Sequence, residues 1–376
     1  MRSRPVADSA TYALVAGGGT AGHVLPGLAV ARALVDRGHD SSSIHFVGSE
    51  RGLERTLVPD AGFAVTLLPG RGIQRRLTLE NIAAAWGLLR AVAKGIGIVR
   101  RRRPNVVLVL GGYASIACTI GAVIWRVPII VMEQNARAGA ANRLAGRFAK
   151  ACAVPFAETD LPRSVVTGNP VRAEVLAINR ERDRLAARTT LGVSGDRIFV
   201  AVITGSLGSR KVNEAVFAAV PKWSERNDLS IRHVIGSRDW ESVQDSLPEG
   251  DALEYVAVRY EEHMETVLAA ADLLIGRAGG TTVAELAEVG VGGVLVPLPQ
   301  APRDHQTANA AALVRVGAAL LIPDAELDGD RLVAEIDALL GDPSQLERMG
   351  TAAHTLAQPD AAGAVAELVE RHARRS

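Results

Sequence analysis

The sequence predicts an α/β chain with two parallel, doubly wound sheets, and three observations predict it. Short runs rich in Val, Ile and Leu recur along the chain, each followed by glycine or polar residues and then a helical pattern; the series restarts after a charged stretch near the middle. Strands apolar on both faces belong to parallel sheets covered by helices, and strand-helix alternation builds such sheets.

Taken in order, the first-half strands are YALVAGGG (from Tyr12), SIHFVGS (Ser43), NVVLVLGGY (Asn105), VPIIVMEQN (Val127), CAVPF (Cys152) and SVVTGNP (Ser164). After Arg172 the chain turns charged (NRERDRLAARTTLGVSGD), and a second series follows: RIFVAVITGS, IRHVIGS, LEYVAV, DLLIGRAGG, GGVLVPLP and AALLIPD. The predicted domains are therefore 1–172 and 173–357. An amphipathic C-terminal helix, about 358–376, can pack on either domain, including back on the first.

A length of 376 residues with 48% hydrophobic, 22% charged and 4% aromatic content suits two globular domains and excludes disordered or fibrous folds. The net charge of +1 excludes a globally basic nucleic-acid binder. That sum conceals a split: residues 1–170 hold 21 basic and 10 acidic side chains, leaving 21 and 31 for the rest. Two cysteines, Cys118 and Cys152, are too few and too far apart for a disulfide framework or thiolate metal site, and fit core positions in a reducing cytoplasm. The first residues carry no signal-peptide pattern. The uncharged run Val106–Trp125 is long enough to span a bilayer, but its Gly111-Gly112 break reads as a buried strand, a turn and a helix.

Ligands of doubly wound sheets bind beyond the carboxyl ends of strands, where this chain places its glycines. In Ala16–Leu28 (AGGGTAGHVLPGL), glycines permit close backbone approach to a phosphate or sugar, and the following helix start favours negative charge. No acidic residue closes the next strand, so this is not the dinucleotide fingerprint. His23 in that turn can take a proton near neutral pH, or can simply cap the turn or touch a phosphate.

Gly205–Ser209 (GSLGS) repeats the arrangement in the second half, with the Ser206 hydroxyl suited to a diphosphate. Arg277–Thr282 (RAGGTT) opens another helix with Glu285 one turn in, either a favourable first-turn charge or an acceptor for a ribose diol. Asp304, His305, Gln306 and Asn309 cluster on a loop entering a helix. Asp328-Gly329-Asp330 reads as a helix cap rather than a metal motif. Arg71–Arg103 sets nine basic residues against Glu80 and interleaves them with apolar ones, which suits either an anionic lipid surface or a solvated helix with a core-facing side.

Together GGGTAGHVLPGLAVA, LGGYAS, EQNARAGAANR, TGNPVR, GSLGS, RAGGTTVAEL and DHQTANA resemble, in order and spacing from Leu14 to Leu321, the MurG family of lipid I N-acetylglucosaminyltransferases. The resemblance implies a GT-B fold, two Rossmann-like parallel-sheet domains facing a cleft. It implies inverting transfer from UDP-N-acetylglucosamine to the C4 hydroxyl of undecaprenyl-diphospho-N-acetylmuramyl-pentapeptide (lipid I), with no metal and no cofactor. His23 is then the general base, with Glu133 in reserve. Thr20, Ala21, Gly22, Asn135, Arg172, Ser206, Gly280, Thr281, Thr282, Glu285, His305 and Gln306 contact the donor. Tyr113, Arg75, Arg76 and Trp86 face acceptor or membrane.

The implied location is peripheral, at the cytoplasmic face of the cell membrane, with anionic inner-leaflet lipid and other cell-wall synthesis proteins as partners and no nucleic acid. This chain departs from the family pattern at Thr204-Gly205, where a glycine pair is common, at His305, where glutamine is common, at Ala21, and in the charged stretch VRYEEHMETV, which leaves Tyr260 and Glu261 unassigned as uracil neighbours.

Overall fold

Strands buried on both faces need helices on both sides, and the chain supplies them twice. The computed structural model describes residues 11–69 and 80–375, with side chains given outside residues 80–89 and Pro343. Its contacts divide it into two units, Met1–Arg172 with Pro359–Ser376, and Ala173–Gln358.

Unit 1 runs β1 (Ala13–Gly17), α1 (Ala21–Asp36), β2 (Ile44–Ser49), α2 (Glu54–Asp60), β3 (Ala64–Leu68), α3 (Glu80–Arg102), β4 (Val106–Gly111), α4 (Tyr113–Ile124), β5 (Ile129–Met132), α5 (Ala140–Gly146), β6 (Ala151–Val154) and β7 (Ser164–Val166). The strands are all parallel, in the order β3-β2-β1-β4-β5-β6-β7. The strand order reverses between β1 and β4, so the turns leaving these two neighbours diverge above the sheet. They still touch: Gly18 N donates to Gly111 O at 3.3 Å, and a Cβ on Gly112 (φ +80°) would stand 2.7 Å from Gly18 O.

Unit 2 runs α6 (Ala173–Leu176), α7 (Arg180–Leu191), β8 (Ile198–Ile203), α8 (Arg210–Ala219), β9 (Leu229–Val234), α9 (Ser237–Val243), β10 (Glu254–Val258), α10 (Met264–Ala270), β11 (Leu273–Gly276), α11 (Gly280–Val289), β12 (Gly292–Leu295), α12 (His305–Arg315), β13 (Ala319–Leu321), α13 (Gly329–Leu340) and α14 (Pro343–His354). Its sheet, β10-β9-β8-β11-β12-β13, is also parallel and reverses between β8 and β11.

The last helix, α15 (Ala361–His372), lies in unit 1 and buries Val365, Ala366, Leu368 and Val369 in the same cluster as Val30 and Leu34 of α1. Glu370 then accepts from Arg37 Nε at 2.9 Å and meets His39 Nε2 at 2.9 Å.

The structure adds one strand that sequence reading passes over. β3 is an edge strand whose residues are mostly half-exposed, so its run AVTLL lacks the uniform apolar signal of the inner strands. The Val106–Trp125 run resolves into β4 and α4, and no helix among the described residues is long and apolar enough to cross a membrane. Asp328 caps α13 by accepting from Arg331 N at 2.8 Å. Both cysteines are free and buried, and burial pushes the Cys118 thiol up to about 12.

Arg75 and Arg76 lie outside the described residues, as does the side chain of Trp86. From Ala91 onward the apolar side of α3 is core. Ala91, Ile98 and Val99 are buried, and a Cβ on Gly95 would come within 2.7 Å of Ala117 on α4.

Candidate active site

In unit 1 the backbone between β1 and α1 passes Gly17, Gly18 and Gly19 at φ +143°, +137° and +103°, conformations that favour glycine. A Cβ on Gly17 would meet Gly111 O at 2.6 Å, so the two switch-point turns pack too closely for a side chain there. Thr20 is the N-cap of α1, yet its hydroxyl caps no backbone N–H; Thr20 Oγ1 lies 3.0 Å from His23 Nδ1. The ring's other edge rests on the second turn, since a Cβ on Gly111 would stand 3.1 Å from His23 Nε2. Ser115 locks that turn, donating to Ala16 O at 2.8 Å and accepting from Gly111 N at 3.0 Å. Tyr113, at the start of α4, donates to Pro69 O, and burial pushes its phenol up to about 12, so it stays a donor.

Glu133 follows β5, is 2% exposed, and has both oxygens occupied. Oε1 accepts from Gln134 N, Asn135 N and Asn135 Nδ2 at 3.0, 3.0 and 3.1 Å; Oε2 accepts from Gly139 N at 3.0 Å and Asn142 Nδ2 at 2.9 Å. Asn142 joins the two halves of this site, because the same Cβ on Gly111 would also lie 3.4 Å from its Nδ2. Asn142 was legible only as part of EQNARAGAANR; its position beside both Glu133 and the His23 turn depends on the β4-β5 pairing.

In unit 2, Ser206 is exposed on the turn between β8 and α8. Thr204 is buried and donates to Val234 O at 2.7 Å, so its side chain is tied to the end of β9. Gly279 caps α11 with no side-chain bond, and Gly280, Thr281, Thr282 and Glu285 are half-exposed around its first turns. Asn309, fully buried, donates from α12 to Ala278 O at 3.0 Å and so pins the RAGGTT turn.

His305 Nδ1 meets Pro302 O at 2.9 Å and therefore carries the proton, while Gln306 Oε1 accepts from Leu298 N at 2.9 Å, which leaves its amide N–H groups as what it can offer a ligand. The preceding Arg303 and Asp304 both sit at left-handed φ, +58° and +53°, a local strain of the kind functional loops store. Glu261 is committed to Arg232 Nε at 2.8 Å, whereas Tyr260 is exposed.

A cavity of 740 Å³ opens instead at the opposite, N-terminal edge of this sheet, where Arg180, Arg184 and Arg188 of α7 converge on Asp272. Arg188 also donates to three backbone carbonyls there, a staple of α7 to the sheet, and none of the motif residues lines the cavity. No cluster of metal-ligating side chains is found among the described residues.

Residues 13–154 match the glycosyltransferase family 28 N-terminal domain and residues 199–365 its C-terminal domain. A protein of Desulforamulus reducens named UDP-N-acetylglucosamine--N-acetylmuramyl-(pentapeptide) pyrophosphoryl-undecaprenol N-acetylglucosamine transferase is 34% identical, covering 96% of this chain and 98% of its own length. A protein of the same name from Alkalilimnicola ehrlichii is 38% identical over 96% and 99%. The chain belongs to the MurG family.

The crystal structure of Acinetobacter baumannii MurG superposes with a TM-score of 0.75 at 28% identity, covering 96% of this chain and 99% of that one. As a MurG-family glycosyltransferase the chain has two Rossmann-like units of the GT-B type, as the motifs implied.

Proposed function

We propose that this chain transfers N-acetylglucosamine, with inversion, from UDP-N-acetylglucosamine to the C4 hydroxyl of undecaprenyl-diphospho-N-acetylmuramyl-pentapeptide, releasing UDP and forming lipid II in peptidoglycan synthesis. The observation that carries this reading is its relationship, over nearly the whole chain, to enzymes named for that transfer.

In the step, the acceptor hydroxyl attacks the anomeric carbon opposite the diphosphate, the C1–O bond to UDP breaks, and the hydroxyl proton goes to a base. His23 suits that role. In the tautomer whose Nδ1–H donates to Thr20 Oγ1, 3.0 Å away, the lone pair that accepts the proton is on Nε2. We assign Glu133 to holding the 134–139 loop, and Asn135 with it, since its oxygens already receive five N–H donors.

Negative charge growing on UDP is met by Ser206 and by the amides that open α8 and α11, preset dipoles that need no reorganisation. Gly280, Thr281, Thr282 and Glu285 serve uridine and ribose, His305 and Gln306 the sugar, and Thr20, Ala21, Gly22, Asn135 and Arg172 complete the donor contacts. Tyr113 stands on the acceptor side.

An undecaprenyl acceptor also supports a peripheral location on the cytoplasmic face of the cell membrane, with unit 1 toward anionic lipid and other cell-wall synthesis proteins as partners.

Labelled UDP-N-acetylglucosamine incubated with a lipid I analogue tests the reading. Label appearing in a lipid-linked disaccharide, only with acceptor present, supports it; conversion of the donor without acceptor, or no product at all, overturns it.

A further inference from the structure

A polar chain crosses the interior of unit 2 beside the Ser206 turn. His233 on β9 is fully buried, and burial drives its imidazole down to about 3, so the ring is neutral and carries one N–H. Its neighbours fix which nitrogen holds it. Asn213 Oδ1 lies 2.9 Å from Nε2 and can only accept, so Nε2–H donates there and Nδ1 accepts from the Tyr255 hydroxyl at 2.9 Å.

Asn213, on α8, passes the direction on, its Nδ2 donating to Asp239 Oδ2 at 3.0 Å and Ile235 O at 3.2 Å. Asp239 accepts from Arg238 Nε at 2.8 Å, and a terminal nitrogen of Arg238 donates to Gly208 O at 3.2 Å. Donors and acceptors match at every step, and the buried part of the network, His233, Asn213 and Asp239, is rigid because it is satisfied.

The network ends on the turn itself. Gly208 (φ +98°) sits so tightly that a Cβ would lie 2.5 Å from Ile235 O and 2.7 Å from Asp239 Oδ2; a Cβ on Gly236 would lie 2.1 Å from Gly208 N. Ser237 donates from both N and Oγ to Ser206 O, at 3.0 and 2.9 Å. The loop carrying Gly236 to Asp239 is therefore the bed on which Ser206 is presented, and Asn213 and His233 hold that bed in place.

We propose that His233, Asn213, Asp239 and Arg238 are positioning residues that preset the Gly205–Ser209 turn for a nucleoside diphosphate. The proposal rests on the transferase reading only for the identity of the ligand. A core that needed volume alone would be served by apolar side chains at these positions; a directed hydrogen-bond relay specifies the geometry of the loop it reaches.

UDP binding and steady-state kinetics on the full chain, compared for wild type, His233→Phe and Arg238→Met, test it. His233→Phe should raise the UDP Kd and the donor KM about tenfold, and Arg238→Met a few-fold, the scale of one or two lost hydrogen bonds. The acceptor KM and the melting temperature of Arg238→Met should stay at wild-type values. Arg238 is half-exposed, so that variant decides the matter should His233→Phe fail to fold.

Folded variants binding UDP as tightly as wild type would overturn the positioning role while leaving the transferase reading intact. Wild type that binds UDP, with weakened variants, but transfers no sugar would support the positioning role and overturn the transferase reading. Wild type that binds no UDP would remove both.

Discussion

An imidazole takes a proton only on the nitrogen that carries none, and the Thr20 hydroxyl, which caps no backbone N–H and lies 3.0 Å from His23 Nδ1, is placed to hold the Nδ1–H tautomer. Replacing His23 with alanine should cut transfer about 100- to 10,000-fold, the usual worth of a general base, while UDP binds as before; wild-type turnover in that variant would exclude the assignment. Glu133 makes the opposite prediction. Glu133→Gln sets an NH₂ against N–H donors in a buried site, so it should lower stability by about 1–3 kcal/mol in thermal or urea unfolding. Lost turnover with unchanged stability would instead move Glu133 into the chemistry. The histidine and the EQN run were legible because each sits beside a strand end in a recognisable spacing. His233 was not, because its partners arrive from another strand and a helix and no local pattern announces it, and Asn142 was legible only within the EQNARAGAANR run, its place beside the His23 turn being set by strand pairing.

Inner strands announced themselves at the level of elements because both faces are apolar; β3 did not, being an edge with one wet side. α3 shows the limit of composition: its basic and apolar residues read as a lipid face or as a solvated helix with a core face, and packing on α4 assigns only the apolar side from Ala91 to the core, leaving Arg100, Arg101 and the adjoining Arg103 exposed. The destination of α15 was equally open in the sequence, since an amphipathic stripe says that a helix packs and not where. Its clasp to α1 carries a pH signature. The Arg37 guanidinium, with His39, holds the Glu370 carboxyl below its ordinary value. A depressed folded pKa means the clasp contributes fully above the unfolded value of about 4.3 and is lost as pH falls through the folded one. With both side chains partly exposed, solvent screens the pair and the contribution is small. Hydrogen exchange should show α15 opening more readily near pH 3.5 than at pH 7, and Glu370→Gln should erase that difference; wild-type opening that ignores pH would show the clasp to be inert.

For the whole molecule the near-zero net charge divides along the fold. Met1–Arg172 holds 22 basic and 10 acidic side chains, and the returning Pro359–Ser376 segment adds three of each, so unit 1 keeps its cationic surplus and unit 2 is anionic. Unit 1 also exposes Ile124, Trp125 and Phe148, with the Arg100 guanidinium 5.5 Å over the Trp125 ring. Apolar anchors among cations are what an anionic bilayer surface binds, each near-surface charge contributing about 1 kcal/mol. Arg102 donates to Thr11, so it is best left in place when that surface is probed. Changing Arg100, Arg101 and Arg103 together to glutamine should weaken partition onto phosphatidylglycerol vesicles about a hundredfold at low salt, on that per-charge scale. Wild-type binding should fall steeply as salt shortens the screening length, and turnover of a short-chain, water-soluble acceptor should be the same in both proteins. Equal binding to neutral and anionic vesicles, or binding indifferent to salt, would mean that the surplus on unit 1 serves the acceptor diphosphate alone and the membrane is met by apolar side chains.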